Sequence, residues 1–213
     1  MTKIGYKAVS HLEAENLLCN VLKGKTFQEQ SMIDYNLLNE SLEYYNSNGF
    51  TRIESPWSVA KEIDDITRPE EKIPFQLKHN NKCLVASGEQ SFLYLYLKGF
   101  LPLGKFQTIT PCFRSDDFDL LHTKYFMKNE LIITDKVNEE QLEFITETAL
   151  YFFQKYLKDS KIVKTDIGYD IMYDDIELGS YGIRECSFLR WIYGTGCAEP
   201  RLSTAIHKYN LFN

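Results

Sequence analysis

Thr110-Pro111-Cys112-Phe113-Arg114-Ser115-Asp116, followed after a polar loop by Tyr125-Phe126-Met127-Lys128-Asn129-Glu130-Leu131, is the stretch on which the fold turns. Its composition predicts strands over 106–114 and 124–133, the arms of a long hairpin around the loop Asp116 to Thr123. Successive strand residues point to opposite faces, so Thr110, Cys112 and Arg114 share one face of the first arm, and Phe126, Lys128 and Glu130 share one face of the second. If both sets face the same side, one floor carries a guanidinium, an aromatic ring and a carboxylate. That set suits a nucleotide: a fixed cation for phosphate, a flat apolar surface for a base, and an acceptor for an exocyclic amine. A purely structural hairpin with an Arg-Glu cross-strand pair satisfies the same pattern.

Working outward, apolar steps of three and four at Met32, Ile33, Leu37, Leu38, Leu42 and Tyr45 predict a helix from Gln28 to Tyr45, ended by Asn48-Gly49. A shorter helix is expected from His11 to Leu22, closed by Gly24. Strands are expected at 50–54, where Pro56 stops the run, and at 82–86; a helix at 139–156 buries Leu142, Ile145, Ala149, Phe152 and Phe153 on one face. Short strands follow at 161–165, 169–173 and 184–188, and a last helix after Pro200. Strand pairs with helices before and between them predict an α+β domain, an antiparallel sheet flanked by helices. The length of 213 residues suits one core domain, 26–213, with an N-terminal appendage, 1–25.

A net charge of -6 argues against a protein whose main business is gripping a phosphate backbone. No apolar run approaches the roughly 18 to 20 residues of a membrane span, and the N-terminus lacks a basic start followed by an apolar block, so the expected setting is cytoplasmic, with no membrane partner. The cysteines Cys19, Cys83, Cys112, Cys186 and Cys197 are odd in number and irregularly spaced, which reads as reduced thiols.

A second constellation is Gly194-Thr195-Gly196-Cys197-Ala198-Glu199-Pro200-Arg201. Glycines allow close backbone approach, and an arginine at a helix start, beside free backbone N–H groups, can meet a polyphosphate tail. Alone, Gly-x-Gly is a weak signal, and a tight turn with Pro at a helix start and a surface arginine is the commoner source of such a pattern. Ser87-Gly88-Glu89 reads as a helix N-terminus, with Ser87 capping and Glu89 in the first turn.

In order and place these segments resemble the class II aminoacyl-tRNA synthetases. Thr110 to Asp116 and Tyr125 to Leu131 are similar to motif 2, especially of the seryl type, with Asp116 where Glu is usual. Gly194 to Ile206 resembles motif 3, and the helix ending at Asn48-Gly49 with the strand into Pro56 resembles motif 1, the family's dimer-forming element. The resemblance spans roughly residues 28 to 210. It implies ATP binding by Arg114 (α-phosphate), Asp116, Phe126 (adenine), Glu130, Glu185 and Arg201 (γ-phosphate), with Arg114 and Arg201 catalytic. Ser87 and Glu89 would receive the amino acid's ammonium group, and the strand Arg184-Glu185-Cys186-Ser187 would offer Glu185 and Ser187 to Mg²⁺. In the seryl type's amino acid:carrier-protein ligase relatives zinc holds the substrate amine; Cys197, Glu89 and Cys112 or Cys186 would imitate that set, although no spacing here demands zinc.

The implied activity is ATP-dependent formation of an aminoacyl-adenylate by a homodimer. The acceptor is left open among a tRNA, a carrier protein and a small molecule, because no segment is large or basic enough to be a tRNA-gripping domain. The alternative is a non-catalytic paralogue that binds nucleotide or amino acid as a regulatory module. Two of the chain's six arginines, Arg114 and Arg201, stand at the two phosphate-reading signatures, which favours the enzyme.

Overall fold

The computed structural model describes residues 33–69, 71–115 and 125–212. The helix expected at 11–22, the boundary after residue 25, and Asp116 with its loop lie outside them.

Seven strands form one sheet: β1 (Thr51–Arg52), β4 (Lys105–Phe113), β5 (Tyr125–Ile133), β9 (Leu189–Glu199), β8 (Ile176–Cys186), β7 (Gly168–Tyr173) and β6 (Lys161–Thr165), in that spatial order. Only β1 runs parallel to its neighbour; all other pairs are antiparallel. A separate ribbon pairs β2 (Ser58–Ala60) with β3 (Lys82–Leu84). The helices are α1 (Tyr35–Ser47), α2 (Lys61–Thr67), α3 (Gly88–Leu97), α4 (Glu139–Gln154) and α5 (Arg201–Phe212). This is the expected α+β architecture.

The hairpin is β4–β5, with Thr108 opposite Glu130, Thr110 opposite Lys128 and Cys112 opposite Phe126. The two residue sets therefore do face the same side. Helix α1 starts at Tyr35, because Asp34 is extended and its carboxylate accepts the Asn36 N–H at 2.8 Å and the Leu37 N–H at 3.3 Å; residues 28–32 of the expected helix lie outside the described residues. It ends before Gly49, whose φ of +85° is the left-handed conformation that glycine adopts without strain.

The sheet separates two cores. Helices α1, α4 and α5 cover one face, where Leu38, Tyr45, Leu131, Ile133, Ile145, Phe152 and Phe153 are fully or almost fully buried. A buried polar bracket ties α1 to this face. The Asn129 amide donates to Ser41 Oγ and to Gln107 Oε1, both at 3.0 Å, and Gln107 Nε2 donates to the backbone carbonyls of Leu42 and Phe50. On the opposite face α2, α3 and the ribbon bury a smaller cluster of Val85, Phe92, Leu93, Phe106, Ile132 and Trp191. Beside it, on the same face, lies the cavity described next. Among the described residues no helix is long and apolar enough to cross a membrane.

Candidate active site

Strand β9 sets the geometry of this cavity. Trp191, Tyr193 and Thr195 point to the cavity side, and Ile192 packs into the helix-covered core. Glu130 of β5 pairs with Thr195, yet the next residue, Asn129, pairs with Cys197, so Gly196 is an extra residue in β9. Such a bulge reverses the alternation beyond it. A Cβ at Gly196 would stand 2.9 Å from the Tyr45 ring and 3.1 Å from the Asn129 carbonyl, and the Tyr45 hydroxyl donates to the Gly196 carbonyl at 3.0 Å. Cys197 thus lies fully buried in the helical core, while Ala198 returns to the cavity side.

The cavity holds about 330 Å³. At one end the Arg114 guanidinium lies 5.1 Å from the centre of the Phe126 ring, and its Nε donates to the Ala86 carbonyl at 3.0 Å. Arg201, the first residue of α5, donates through Nη1 to the Glu177 carbonyl at 3.0 Å and to its carboxylate at 3.3 Å. Glu177 and Ser180 of β8 face the same cavity, offering two hard oxygen donors of the kind Mg²⁺ takes beside phosphate oxygens.

In the middle, Lys128 Nζ lies 2.8 Å from Glu130 Oε1, and Ser87 Oγ donates to Glu130 Oε2 at 3.0 Å. Ser87 also caps α3 by accepting the Glu89 N–H at 3.1 Å. The helix approaches so closely that a Cβ on Gly88 would stand 2.8 Å from the Cβ of Glu130. At the far end Glu89, 3% exposed, accepts from Trp191 Nε1 and from Arg184 Nη1, each at 2.6 Å. Arg184 is held over the Tyr193 ring at 4.3 Å. Burial raises the Glu89 pKa, and the Arg184 charge pulls it back down.

Arg114, Phe126, Glu130, Ser87, Glu89 and Arg201 therefore line one cavity. Three of the expected site residues do not. Glu185 falls at the alternation of Tyr181 and Ile183, on the helical side, and is 77% exposed; Ser187 is exposed just past the end of β8. Neither reaches the cavity. Cys197 is separated from Glu89 by the sheet, so the set of Cys197, Glu89 and Cys112 or Cys186 is not assembled, and burial pushes the Cys112 thiol up to about 12. Among the described residues no group of three or more His, Cys, Asp or Glu side chains is placed to hold a metal ion. Residue types alone did not single out Lys128, Arg184, Glu177 or Ser180. Arg184 stands 95 residues from its partner Glu89, and no local pattern links them.

No protein-family model and no curated protein sequence matches the chain. Solved structures do. A seryl-tRNA synthetase from Pyrococcus horikoshii, complexed with ATP, matches with a TM-score of 0.67 and 18% identity over 81% of this chain and 49% of its own. Pyrrolysyl-tRNA synthetase from Desulfitobacterium hafniense matches with a TM-score of 0.63 and 16% identity over 95% of this chain and 82% of its own. A cytoplasmic serine-tRNA ligase from Naegleria fowleri, in complex with AMP, gives 0.59 and 16% over 80% and 46%. The chain thus spans about half the length of these two seryl-type proteins. Seven mostly antiparallel strands, two cores and this likeness give the chain the fold of a class II aminoacyl-tRNA synthetase catalytic core.

Proposed function

We propose that this cavity binds ATP and activates a carboxylic acid, in the first instance an amino acid, as its acyl-adenylate. The observation that carries the reading is the convergence of Arg114 and Phe126, from the β4–β5 hairpin, and Arg201, from the start of α5, on one cavity. In the reaction, an oxygen of the acid attacks the α-phosphorus of ATP. The new acyl-oxygen to phosphorus bond forms as the bond to the β-phosphate breaks, and pyrophosphate leaves with the electron pair.

No protein nucleophile is required, so this chain's contribution is positioning and charge neutralisation. Phe126 offers the adenine a flat apolar face. Arg114, whose guanidinium lies 5.1 Å from the centre of that ring, meets the α-phosphate and the charge that develops there. Arg201, at the first position of α5, meets the γ-phosphate. Glu177 and Ser180 are the residues that would hold Mg²⁺, whose chemistry is to neutralise the phosphate oxygens. Glu89, Arg184 and Trp191 shape the end at which the acid lies. The same reading pairs two copies through α1 and the exposed edge strand β1, a dimer that sedimentation would detect.

The test is exchange of labelled pyrophosphate into ATP, assayed with each of the twenty amino acids. Exchange that depends on one acid is the expected result. ATP binding without exchange for any acid would favour the regulatory paralogue, and failure to bind ATP would overturn both.

A further inference from the structure

The end of the cavity remote from Phe126 is charged, yet Glu89 there, and Glu130 in the middle of the cavity, are only 3% and 1% exposed and each is already ion-paired. Each oxygen of Glu89 accepts one strong hydrogen bond, from Trp191 and from Arg184, and each oxygen of Glu130 accepts one, from Lys128 and from Ser87. An ammonium group arriving there meets two carboxylates whose charge Arg184 and Lys128 already balance. It also meets the guanidinium itself, which repels it.

Arg184 is differently placed. Its side chain is 37% exposed, lines the cavity and stacks on Tyr193, and among the described residues its hydrogen bonding is limited to Glu89 Oε2. A guanidinium carries five N–H donors, so several remain for a ligand. Phe126 and Ile132, the β5 partner of Tyr193, lie six residues apart, about 20 Å along the strand, so an acid with a distal group has room to span the remaining length.

We propose that the acid activated here carries a second carboxylate, bound by Arg184 at the Tyr193 end, so that the substrate class is a dicarboxylic acid. One carboxylate attacks the α-phosphorus of ATP; the other stays ionised on Arg184. This rests on the acyl-adenylate reading above. The Glu89 carboxylate and the Tyr193 ring fix the plane of the guanidinium, and a planar donor pair matches a carboxylate better than a single hydroxyl or carbonyl.

The experiment is pyrophosphate exchange on the full chain with matched pairs of acids: glutamate against glutamine, aspartate against asparagine, and succinate against butyrate. The dicarboxylate of a pair should exchange at least about tenfold better, the worth of one charge-assisted hydrogen bond. Arg184→Gln should raise KM for that dicarboxylate by roughly 10- to 100-fold and leave KM for ATP unchanged, and Arg184→Lys should restore part of the loss. The substrate pairs use the unaltered protein, so the test stands even if Arg184→Gln fails to fold. Exchange strongest with a monocarboxylic amino acid would overturn the inference and leave the adenylation reading intact. ATP binding without exchange for any acid would overturn the inference but not the nucleotide site, and absence of ATP binding would overturn both.

Discussion

The strands β4, β5, β9 and β8 present two unlike faces. Toward α1, α4 and α5 they offer Leu131, Ile133, Ile192 and Tyr181, all at most 1% exposed and packed against Tyr45, Ile145 and Phe152. Toward the cavity the same strands offer Lys128, Glu130, Thr195 and Arg184, buried or half-buried but held in ion pairs and hydrogen bonds. The first face gains its free energy from apolar burial and close packing. The second spends some of it, because charges removed from water are tolerated only when paired. That division teaches where a substitution should damage folding and where it should damage chemistry.

Phe152 and Phe126, one ring on each face, give the largest contrast. Phe152 is fully buried among aromatic neighbours, so Phe152→Ala should cost about 3–5 kcal/mol in urea unfolding. Phe126 is half-buried at the cavity, and Phe126→Ala should cost well under half as much while weakening ATP binding severalfold. Equal losses of stability would erase the distinction. Gly196, where the alternation reverses, comes next. Gly196→Ala drives a methyl toward Tyr45 and Asn129 and should cost about 1–3 kcal/mol in the same assay. A neutral result would mean that the bulge is not held by this contact.

Protonation sharpens the comparison further. Glu89 has its folded-state pKa raised by burial, so the folded protein binds its proton more tightly than the unfolded chain does. Its contribution to stability is therefore full below the unfolded glutamate pKa and is lost as pH rises through the raised value. The stability of wild type minus that of Glu89→Gln should fall as pH is raised through that interval, as urea titrations at several pH values would show; a rise would reverse the assignment. The smallest effect is thiol access. Cys186 is half-buried near the end of β8, whereas Cys112 and Cys197 are fully buried with thiol pKa values raised by burial. Alkylation followed by peptide mapping should label Cys186 well before either.

How much of this could be read in the sequence depended on whether a strand has one covered face or two. The β4–β5 hairpin was legible from its alternation of cavity and core residues. Strand β9 was not, since Trp191 to Glu199 is buried on both faces and its apolar run does not alternate. The strand expected at 184–188 begins at Ile176 and ends at Cys186, with Gly179 and Gly182 inside it. Gly179 in fact makes room, for a Cβ there would stand 2.7 Å from the Tyr181 hydroxyl and 2.9 Å from the Thr195 Cβ. The bulge at Gly196 depends on the partner strand and leaves no local signal, so nothing in the sequence showed that Cys197 lies across the sheet from Glu89. Glu185 suffered similarly from alternation counted without the sheet. Arg114, Phe126 and Arg201, each in a distinctive string of residues, are brought by the fold to one cavity.

The central claim is that the cavity face, entered by Arg114, is the nucleotide site. Calorimetric titration of ATP into wild type, Arg114→Ala and Glu185→Gln tests it most directly, because the two variants remove one charge each from opposite faces of the sheet. Arg114→Ala should weaken binding by about tenfold or more, the loss of a charged hydrogen-bond partner, and Glu185→Gln should bind as wild type does. Loss of binding in Glu185→Gln with full binding in Arg114→Ala would contradict the account.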